Sequence, residues 1–400
     1  MTYYPTLIMP NTNHQTLLNL TDQCVKCGLC LSSCPTYQVY NNEADSPRGR
    51  ITLIQGLLNG DITANDSSLK KHLDQCLSCG NCETACPSGV KYSFVFDNVK
   101  SQFKLRTLPK WQLNFLSSPL SFRVGMSLAQ FIPRSFSAVT PGFFGKLLRN
   151  KPSQSYAIEK NNKNTGTKGK IGIFTGCVGK TTDAKAINQT VELLEHFGYS
   201  VDFLSNQTCC GAMHQHEGYT DQSESLQNNN IATFNNEKID HLIYFASGCG
   251  AQLLAYQDKI NVPISDATQF IASILPESFT YPSSQQKVVL HAPCTQRNKT
   301  NSWADTLNLL KKISGEHLIE LPDNHLCCGS AGLHVLKYPE IASTMLSPKI
   351  SALHEIKPTV LLTSNTGCAL HFKRAIDEEH LDIEVMHPAE WVSGLILNTE

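Results

Sequence analysis

Two segments of this chain share one cysteine spacing, CVKCGLCLSSCP at residues 24–35 and CLSCGNCETACP at residues 76–87. Each segment follows the pattern C-x2-C-x2-C-x3-C-P. The two-residue gaps let one tight loop point three sulfurs toward a common centre, and the proline then turns the chain away. This spacing is typical of thiolates that ligate a [4Fe–4S] cluster. The sequence therefore predicts a cluster-binding domain at the N-terminal end.

In two-cluster ferredoxins the fourth cysteine of each run ligates the other cluster. That arrangement predicts two [4Fe–4S] clusters here, with the fourth cysteines exchanged. A single run is also compatible with zinc, but two runs in tandem, each followed by proline, make zinc or disulfides a poor explanation. The predicted ligands of the first cluster are Cys24, Cys27, Cys30 and Cys86, and those of the second are Cys76, Cys79, Cys82 and Cys34.

The 400 residues include 16 cysteines, of which eight lie in these runs and eight beyond residue 170. Cysteines at these spacings indicate metal ligands rather than the disulfides of a secreted protein. The composition, 41% hydrophobic and 17% charged, is that of an ordinary globular chain with two or three domains. Met1–Thr6 has no basic segment followed by an apolar one, and no apolar stretch approaches about 18 residues. The expected location is the cytoplasm, with peripheral contact on the inner face of the cell membrane as an option.

Charge is distributed unevenly along the chain. Residues 91–150 carry nine basic residues and one acidic residue, a net charge of +8, whereas the rest of the chain carries −9. The same segment is rich in apolar side chains such as Trp111, Leu120 and Phe136. Three interpretations stay open: a connecting helical region with a solvated basic face, a surface that docks on a membrane or an acidic subunit, and a nucleic-acid contact. No recognition motif supports the last, so nucleic acid is not expected as a partner.

The C-terminal half contains an internal repeat in which four cysteines recur in register. Each copy has one cysteine after a predicted strand, then a C-C-G motif, then a G-C motif, and equivalent cysteines are 117 to 119 residues apart. Open α/β sheets hold ligands at the carboxyl ends of their strands, which is where these cysteines are expected. The first quartet is Cys177, Cys209, Cys210 and Cys249, and the second is Cys294, Cys327, Cys328 and Cys368.

Short apolar segments that alternate with helical patterns predict parallel sheets with crossover helices in this half. We expect a multidomain α+β protein, with an α-helical ferredoxin-like domain that holds two [4Fe–4S] clusters, followed by two repeated α/β cysteine-rich subdomains. The predicted domains are 1–100 for the clusters, 101–150 for a basic aromatic connecting region, 151–170 for a polar linker, 171–285 for the first repeat and 286–400 for the second. The predicted helices are His14–Leu20, Arg50–Leu58 and Ala184–Phe197, and the predicted strands are Lys170–Thr175, Ser200–Leu204, Val288–His291 and Val360–Thr363.

From about residue 20 onward the chain resembles the iron–sulfur subunit of bacterial glycolate oxidase. The resemblance rests on the two cysteine runs, on SPRGRI at residues 46–51, on CCGAMHQHEG and ASGCGA in the first repeat, and on HLCCGSAG and TGCALH in the second. The wider superfamily with these runs and repeats also includes an anaerobic glycerol-3-phosphate dehydrogenase subunit, lactate-utilisation proteins and heterodisulfide reductase subunits. SPRGRI and HLCCGSAG favour glycolate oxidase within it.

The resemblance implies an electron-transfer subunit of a membrane-associated complex. A separate FAD-containing dehydrogenase subunit would oxidise glycolate to glyoxylate, and these clusters would pass the electrons to a quinone or another acceptor. No G-x-G-x-x-G motif opens a helix and no P-loop is present, so we expect no flavin or nicotinamide site and assign no catalytic residue. The alternatives are the equivalent subunit of a D-lactate or glycerol-3-phosphate dehydrogenase, and a non-catalytic iron–sulfur scaffold or redox sensor.

The role of the two quartets stays open. In the heterodisulfide reductase relatives such a repeat ends in C-x-x-C and holds an unusual iron–sulfur cluster. Here Gln252 and His371 stand where the last cysteine would be. Four sulfurs per repeat still suffice for a further cluster, and a histidine can replace cysteine as a ligand. The other interpretations are a buried structural role and redox-active thiols. Disulfides between adjacent cysteines are disfavoured, because neighbouring residues strain that geometry.

Two further groups of residues have competing interpretations. Arg48 and Arg50, between the two runs, either offset the negative charge of a thiolate-ligated cluster or pair with surface acids. Most of the 14 histidines are expected in the core or on the surface, and the functional alternative is proton uptake or hydrogen bonding to cluster sulfur. The histidines close to the quartets in sequence are His214, His216, His291 and His325.

Overall fold

The computed structural model describes residues 12–130, 132, 145, 157–158 and 166–398. The segment 1–11, most of the predicted linker at 151–170 and the last third of the basic aromatic region lie outside the described residues. The described chain forms an N-terminal helical part and two four-stranded sheets.

Short helices separate the two cysteine loops of the N-terminal part. The two helices predicted there are confirmed, but the second begins earlier than expected. Pro47 is its first residue, and the Ser46 side chain accepts a hydrogen bond from Gly49 N. The segment SPRGRI therefore forms the capped start of this helix. The helices are α1 (His14–Asp22), α2 (Pro35–Tyr40), α3 (Pro47–Asn59), α4 (Ser67–Asp74), α5 (Asn81–Thr84) and α6 (Tyr92–Gln102), with a 3₁₀ turn at Glu43–Asp45.

One apolar cluster holds these helices together. Leu17 of α1, Ile54 of α3 and Val99 of α6 are fully buried in it. Leu105 also belongs to this cluster, and α6 continues through residue 100. The N-terminal helical part therefore extends past the domain boundary that the sequence predicts at residue 100.

Each repeat folds around a four-stranded parallel sheet, which confirms the predicted internal repeat and the parallel topology. The strand order is β2-β1-β3-β4 in the first sheet and β6-β5-β7-β8 in the second, so the two sheets have the same connectivity. The strands are β1 (Lys170–Phe174), β2 (Ser200–Asp202), β3 (His241–Tyr244), β4 (Ile264–Asp266), β5 (Val288–Leu290), β6 (Leu318–Glu320), β7 (Val360–Leu362) and β8 (Glu384–Met386).

Helices cover both faces of each sheet. One apolar cluster joins the two repeats, with Ile173 of the first sheet and Leu290 of the second buried in it. Separate clusters fill the outer faces. After two connecting helices, α7 (Lys110–Ser117) and α8 (Pro119–Gln130), the helices are α9 (Gly179–Thr182), α10 (Ala184–His196), α11 (Ala212–His216), α12 (Thr220–Asn236), α13 (Ser247–Ala255), α14 (Ala267–Ile274), α15 (Trp303–Ser314), α16 (His334–Lys337), α17 (Pro339–Ile356), α18 (Thr366–Glu378) and α19 (Pro388–Leu397), with 3₁₀ turns at Gln257–Lys259 and Gly315–His317 and a π-helical turn at Gln296–Thr300.

A buried ionic group ties the N-terminal part to both repeats. Lys337 of α16 pairs with Asp74 of α4 and with Glu217, which follows α11. All three side chains are nearly inaccessible to solvent. Removing one partner of such a group leaves an uncompensated buried charge. The group therefore holds the N-terminal helical part, called the cluster domain below, in a fixed position against the two repeats.

The last strand of each sheet ends at a buried helix cap. The Asp266 carboxylate accepts hydrogen bonds from the backbone N–H of Thr268 and Gln269 at the start of α14. His387 caps α19 in the equivalent place and accepts from Ala389 N. Burial raises the pKa of Asp266 to about 7 and lowers the pKa of His387 to about 4.

The raised pKa of Asp266 predicts a pH-dependent cost of folding. The folded protein holds a proton that the unfolded chain releases above pH 4, so this contribution to stability is lost as the pH rises toward 7. An asparagine side chain at this position would keep the cap without ionising. D266N should therefore raise the melting temperature relative to wild type, most at pH 8 and least at pH 4.5, with an upper limit of about 4 kcal/mol at pH 8.

Differential scanning fluorimetry across that pH range measures the difference. The matched control is D258N, which makes the same chemical change at an exposed position. A D266N effect that does not change with pH contradicts the prediction.

Candidate iron–sulfur sites

Four cysteines from both runs line one cavity. Cys76, Cys79 and Cys82 come from the second run and Cys34 from the first. This is the crossed set that the sequence predicts for the second cluster. Pro35 ends the first run and is the first residue of α2, so Cys34 lies directly before this helix. In the second run Cys82 lies in the short helix α5.

The cavity supplies hydrogen-bond donors to sulfur. The Tyr92 hydroxyl and the Ser78 N–H each donate to Cys76 Sγ at 3.5 Å. Thr36 Oγ1 lies 3.2 Å from Cys34 Sγ, but its own proton is donated to Asp45 O. Hydrogen bonds to ligand sulfur tune the reduction potential of a cluster. Sequence reasoning missed these residues, because their chain positions carry no signal that they approach a sulfur atom.

Burial controls the thiols at this site. It raises the pKa of Cys79 and of Cys82 well above the ordinary value. A metal ion reverses this effect, since a coordinating thiol is deprotonated outright. A set of four buried or half-buried thiols around one cavity thus fits a thiolate-ligated cluster.

The two arginines between the runs have different surroundings. Arg50 is buried and lines the cavity, where its guanidinium donates to Thr36 Oγ1 and to His72 O and lies 3.4 Å from Asp45 Oδ1. Arg48 lies near the surface and pairs with Glu43 at 2.7 Å. The charge-offset interpretation therefore suits Arg50, and the surface-acid interpretation suits Arg48.

The other four run cysteines are half-buried or exposed. Burial, together with the neighbouring thiols of Cys24, Cys34 and Cys86, raises the pKa of Cys30 to about 11. Cys86 of the second run is thus close to the first run, as the crossed pattern requires. Cys27 is exposed, so this group is the more accessible of the two.

In the second repeat the quartet gathers at the carboxyl edge of the sheet. Cys294 follows β5, Cys327 and Cys328 follow β6, and Cys368 lies in the first turn of α18 after β7. The Sγ atoms of Cys294 and Cys327 are 3.9 Å apart, and those of Cys328 and Cys368 are 3.1 Å apart. Three neighbouring parallel strands thus bring together cysteines that lie far apart in the sequence.

The first quartet is built in the same way. Cys177 follows β1, and its Sγ lies 3.5 Å from Cys209 Sγ. Cys210 interacts with Cys249 in the first turn of α13. Both quartets therefore offer four converging sulfurs, a donor set that suits iron–sulfur clusters and zinc.

The second quartet adjoins the cavity of the second run. Cys79 packs in one apolar cluster with Cys327, and Cys294 lies against that cluster. Asn298, in the π-helical turn after Cys294, donates a 2.8 Å hydrogen bond to Cys79 O. At Gly80, whose φ is +76°, an added Cβ would lie 2.9 Å from the Lys299 side chain. This close approach joins the cluster domain to the second repeat.

The edges of the two sheets also meet each other. Ser247 N donates to Ser364 O at 2.9 Å, and Ser247 Oγ lies 2.7 Å from Thr295 Oγ1. Asn365 Nδ2 donates to Ser247 Oγ at 3.1 Å. These loops precede or follow quartet cysteines in both repeats, so the two quartets share one polar seam.

Of the histidines singled out by sequence, one lies at a quartet. The ligand atoms of His291, Cys328 and Cys368 all lie within 4.8 Å of one another. His214 instead lies 3.2 Å from Asn114 Oδ1, and His216 pairs with Asp97. The backbone carbonyl of His325 accepts from Asn81 and Arg297, and His371 is buried on α18.

Comparison with known proteins gives matches over both halves. The family described as "4Fe-4S dicluster domain" matches residues 21–90, and the family described as "Cysteine-rich domain" matches residues 171–254 and 288–373. The glycolate oxidase iron–sulfur subunit of Escherichia coli (strain K12) is 31% identical, over 88% of this chain and 89% of its own length. The probable glycolate oxidase iron–sulfur subunit of Bacillus subtilis (strain 168) is 30% identical, over 92% of each chain. The lactate utilization protein A of Halalkalibacterium halodurans is 26% identical, over 55% of this chain and 95% of its own length.

None of the described helices combines the length and the apolar composition that a membrane-spanning helix needs.

The crossed ligand pattern predicts which cysteine variants resemble each other. C34S should lose the same cluster as C79S, and C86S should lose the same cluster as C27S, each with a loss of about four irons per chain. Iron analysis and EPR of the dithionite-reduced variants measure this. S33A, next to Cys34 but without a thiolate change, is the control and should keep full iron. A C34S spectrum that matches C27S would show that the runs are not crossed.

The buried Arg50 predicts an electrostatic effect on the second cluster. Removing a positive charge beside the site disfavours addition of an electron, so R50Q should make the potential of that cluster more negative. A tenfold change in the one-electron equilibrium is about 59 mV, and we expect a shift of that order. R50K keeps the charge and should shift the potential less. Redox titration followed by EPR tests this, and equal shifts in the two variants would refute a charge effect.

Proposed function

The chain belongs to the family of glycolate oxidase iron–sulfur subunits, and we propose that it relays electrons from glycolate oxidation through two [4Fe–4S] clusters. A partner FAD subunit oxidises glycolate to glyoxylate, and a quinone or another acceptor receives the electrons. The observation that carries this proposal is the cavity in which Cys34 joins Cys76, Cys79 and Cys82. Each cluster takes up and returns one electron, so two-electron flavin chemistry is divided into single steps.

The arrangement of the sites supports a route. The first group of run cysteines is near the surface, with Cys27 exposed, whereas Cys79 of the second group is buried against the second repeat. Electrons enter at the exposed first cluster and move inward to the second. The second quartet is the next redox group on that path if it holds a metal.

An apolar patch surrounds the proposed entry point. Val25 and Leu29 are 68% and 61% exposed on the loop between the first three cysteines. Exposed apolar residues that group around a functional site mark contact surfaces. The flavin subunit therefore docks on this loop, where it covers both side chains and approaches the first cluster.

A second exposed face is suited to the membrane. Leu120, Val124 and Leu128 lie on one side of α8 and are 50–72% exposed, while Phe122 and Met126 are buried on the other side. A basic side chain is exposed beside them, at position 123. Apolar side chains with a neighbouring basic residue are the composition of a helix that rests on an anionic lipid surface. Peripheral contact at this face brings the complex to a quinone.

The test of the main proposal uses the tagged chain, purified anaerobically with its bound flavin subunit. Addition of glycolate should bleach the cluster absorbance and produce the EPR signals that dithionite produces. Faster reduction by D-lactate or glycerol 3-phosphate would assign the chain to another dehydrogenase. Reduction by dithionite but by none of these substrates would show a scaffold or sensor instead of a relay.

The two surface patches predict separable defects. V25S/L29S should raise by about tenfold the concentration of flavin subunit needed for half-maximal glycolate-dependent reduction, a loss of about 1.4 kcal/mol. L120S/V124S should leave that reduction unchanged and lower the binding to anionic vesicles. Each double variant is the control for the other, with iron content checked in both. Loss of subunit coupling in L120S/V124S alone would move the docking surface to α8.

A further inference from the structure

The two repeats differ in the residues beside their quartets. Three residues before the first quartet cysteine, the first repeat has Phe174 and the second has His291. Five residues before the last quartet cysteine, Tyr244 of the first repeat corresponds to Thr363 of the second. An aromatic pair in one copy is thus a polar pair in the other.

In the first repeat this position is filled by hydrocarbon. Phe174 is buried in the apolar cluster that contains Cys177, Cys209 and Cys210. Its ring lies edge-on to Phe234 at 6.0 Å. The first quartet therefore has no nitrogen donor at the place that His291 occupies in the second repeat.

In the second repeat the imidazole faces the sulfurs. Ligand atoms of His291, Cys328 and Cys368 lie within 4.8 Å of one another, and all three residues are buried. Metal–sulfur bonds of about 2.3 Å and metal–nitrogen bonds of about 2.0 Å place such donors roughly 3.5 Å apart. Small side-chain rotations bring the three groups from the observed separation to that one.

The ring of His291 is held by its surroundings as metal-ligating histidines are. Its Nδ1 lies 2.9 Å from Thr363 Oγ1, and the Phe372 ring packs edge-on at 4.9 Å. A ligating histidine usually donates its second ring N–H to an oxygen acceptor, which fixes the tautomer. With the Nδ1 proton donated to Thr363, the lone pair for a metal is on Nε2.

We propose that His291 ligates an iron centre in the second repeat together with the thiolates of Cys328 and Cys368. Cys294 and Cys327 complete the sulfur environment from the side of the cluster domain. The first repeat has no counterpart of this ligand. The geometry alone supports His291 as a ligand, whereas the choice of iron as the metal rests on the proposed relay function.

Mixed ligation gives the second quartet a distinct electronic character. A neutral imidazole in a ligand position adds no negative charge, whereas a thiolate in the same position would add one, and histidine in place of cysteine raises the reduction potential of iron–sulfur centres. The second quartet adjoins Cys79, a predicted ligand of the second cluster. A centre of raised potential at this place favours electron flow from that cluster into the second repeat.

Two substitutions convert second-repeat residues into their first-repeat counterparts. H291F introduces the residue found at Phe174, and the matched control H371Q introduces the residue found at Gln252. H291C keeps a metal ligand but removes the nitrogen, which covers the case in which H291F fails to fold. The full-length chain is labelled with ¹⁵N-histidine, purified anaerobically and studied by metal analysis and pulsed EPR in both redox states.

We expect a strongly coupled histidine nitrogen in wild type and H371Q and none in H291F or H291C. H291F should lose the iron of one centre, and H291C should retain it. T363V should weaken metal retention against a chelator by about 10–100-fold, because it removes the acceptor that orients the ring.

Three results overturn the proposal. The first is that H291F keeps the nitrogen coupling or all of its iron while H291C keeps the coupling. The second is that the coupling is lost in H371Q alone. The third is that the second repeat holds zinc or no metal. C76S separates this proposal from the relay, because it should remove the second ferredoxin-type cluster and leave the nitrogen coupling. Failure of glycolate to reduce any cluster, with the coupling intact, would refute the relay and not the ligand.

Discussion

The N-terminal architecture depends on Cys34 of the first run lying in one cavity with Cys76, Cys79 and Cys82 of the second run. The chain must leave one cluster loop, form α2, α3 and α4 and return with the second loop in the correct place. A buried group of Arg50 and Asp45 holds this return, because the guanidinium also donates to His72 O and Thr36 Oγ1. A buried charge with these partners is costly to displace, so polar contacts hold the two loops in this arrangement.

The repeats meet a similar demand through topology. In each sheet the three neighbouring strands β2-β1-β3 or β6-β5-β7 end at the same edge, and each strand delivers one part of the quartet. Right-handed parallel crossovers make this geometry repeatable from a short pattern of strands and helices. Duplication then preserves four sulfurs, while single positions beside them are free to diverge, as Phe174 and His291 show.

The sequence was sufficient for the main periodic elements. The strand at Lys170–Phe174, the helix at Ala184–His196 and the repeat itself follow from hydrophobic pattern and cysteine register. It was not sufficient for contacts between distant segments. Arg48 and Arg50 are two residues apart and look alike in sequence, yet helix α3 turns one toward Glu43 at the surface and the other into the cluster cavity. The sequence indicated His291 by its proximity to Cys294, but it offered His371 as the ligand in place of cysteine, and the difference between His291 and Phe174 stayed unused.

The asymmetry between the repeats has a structural counterpart in where the cluster domain sits. Cys79 packs against the quartet of the second repeat, and Lys337 of that repeat is joined to Asp74 of the cluster domain. The same lysine also pairs with Glu217 of the first repeat, so all three parts are held by one buried ionic group. Electron transfer falls steeply with distance, so in the proposed relay the quartet of the second repeat, which contacts Cys79, is the one that exchanges electrons with the second cluster. The proposed nitrogen ligand belongs to that quartet and not to the other. The change that it causes in the reduction potential would therefore affect the direction of electron flow.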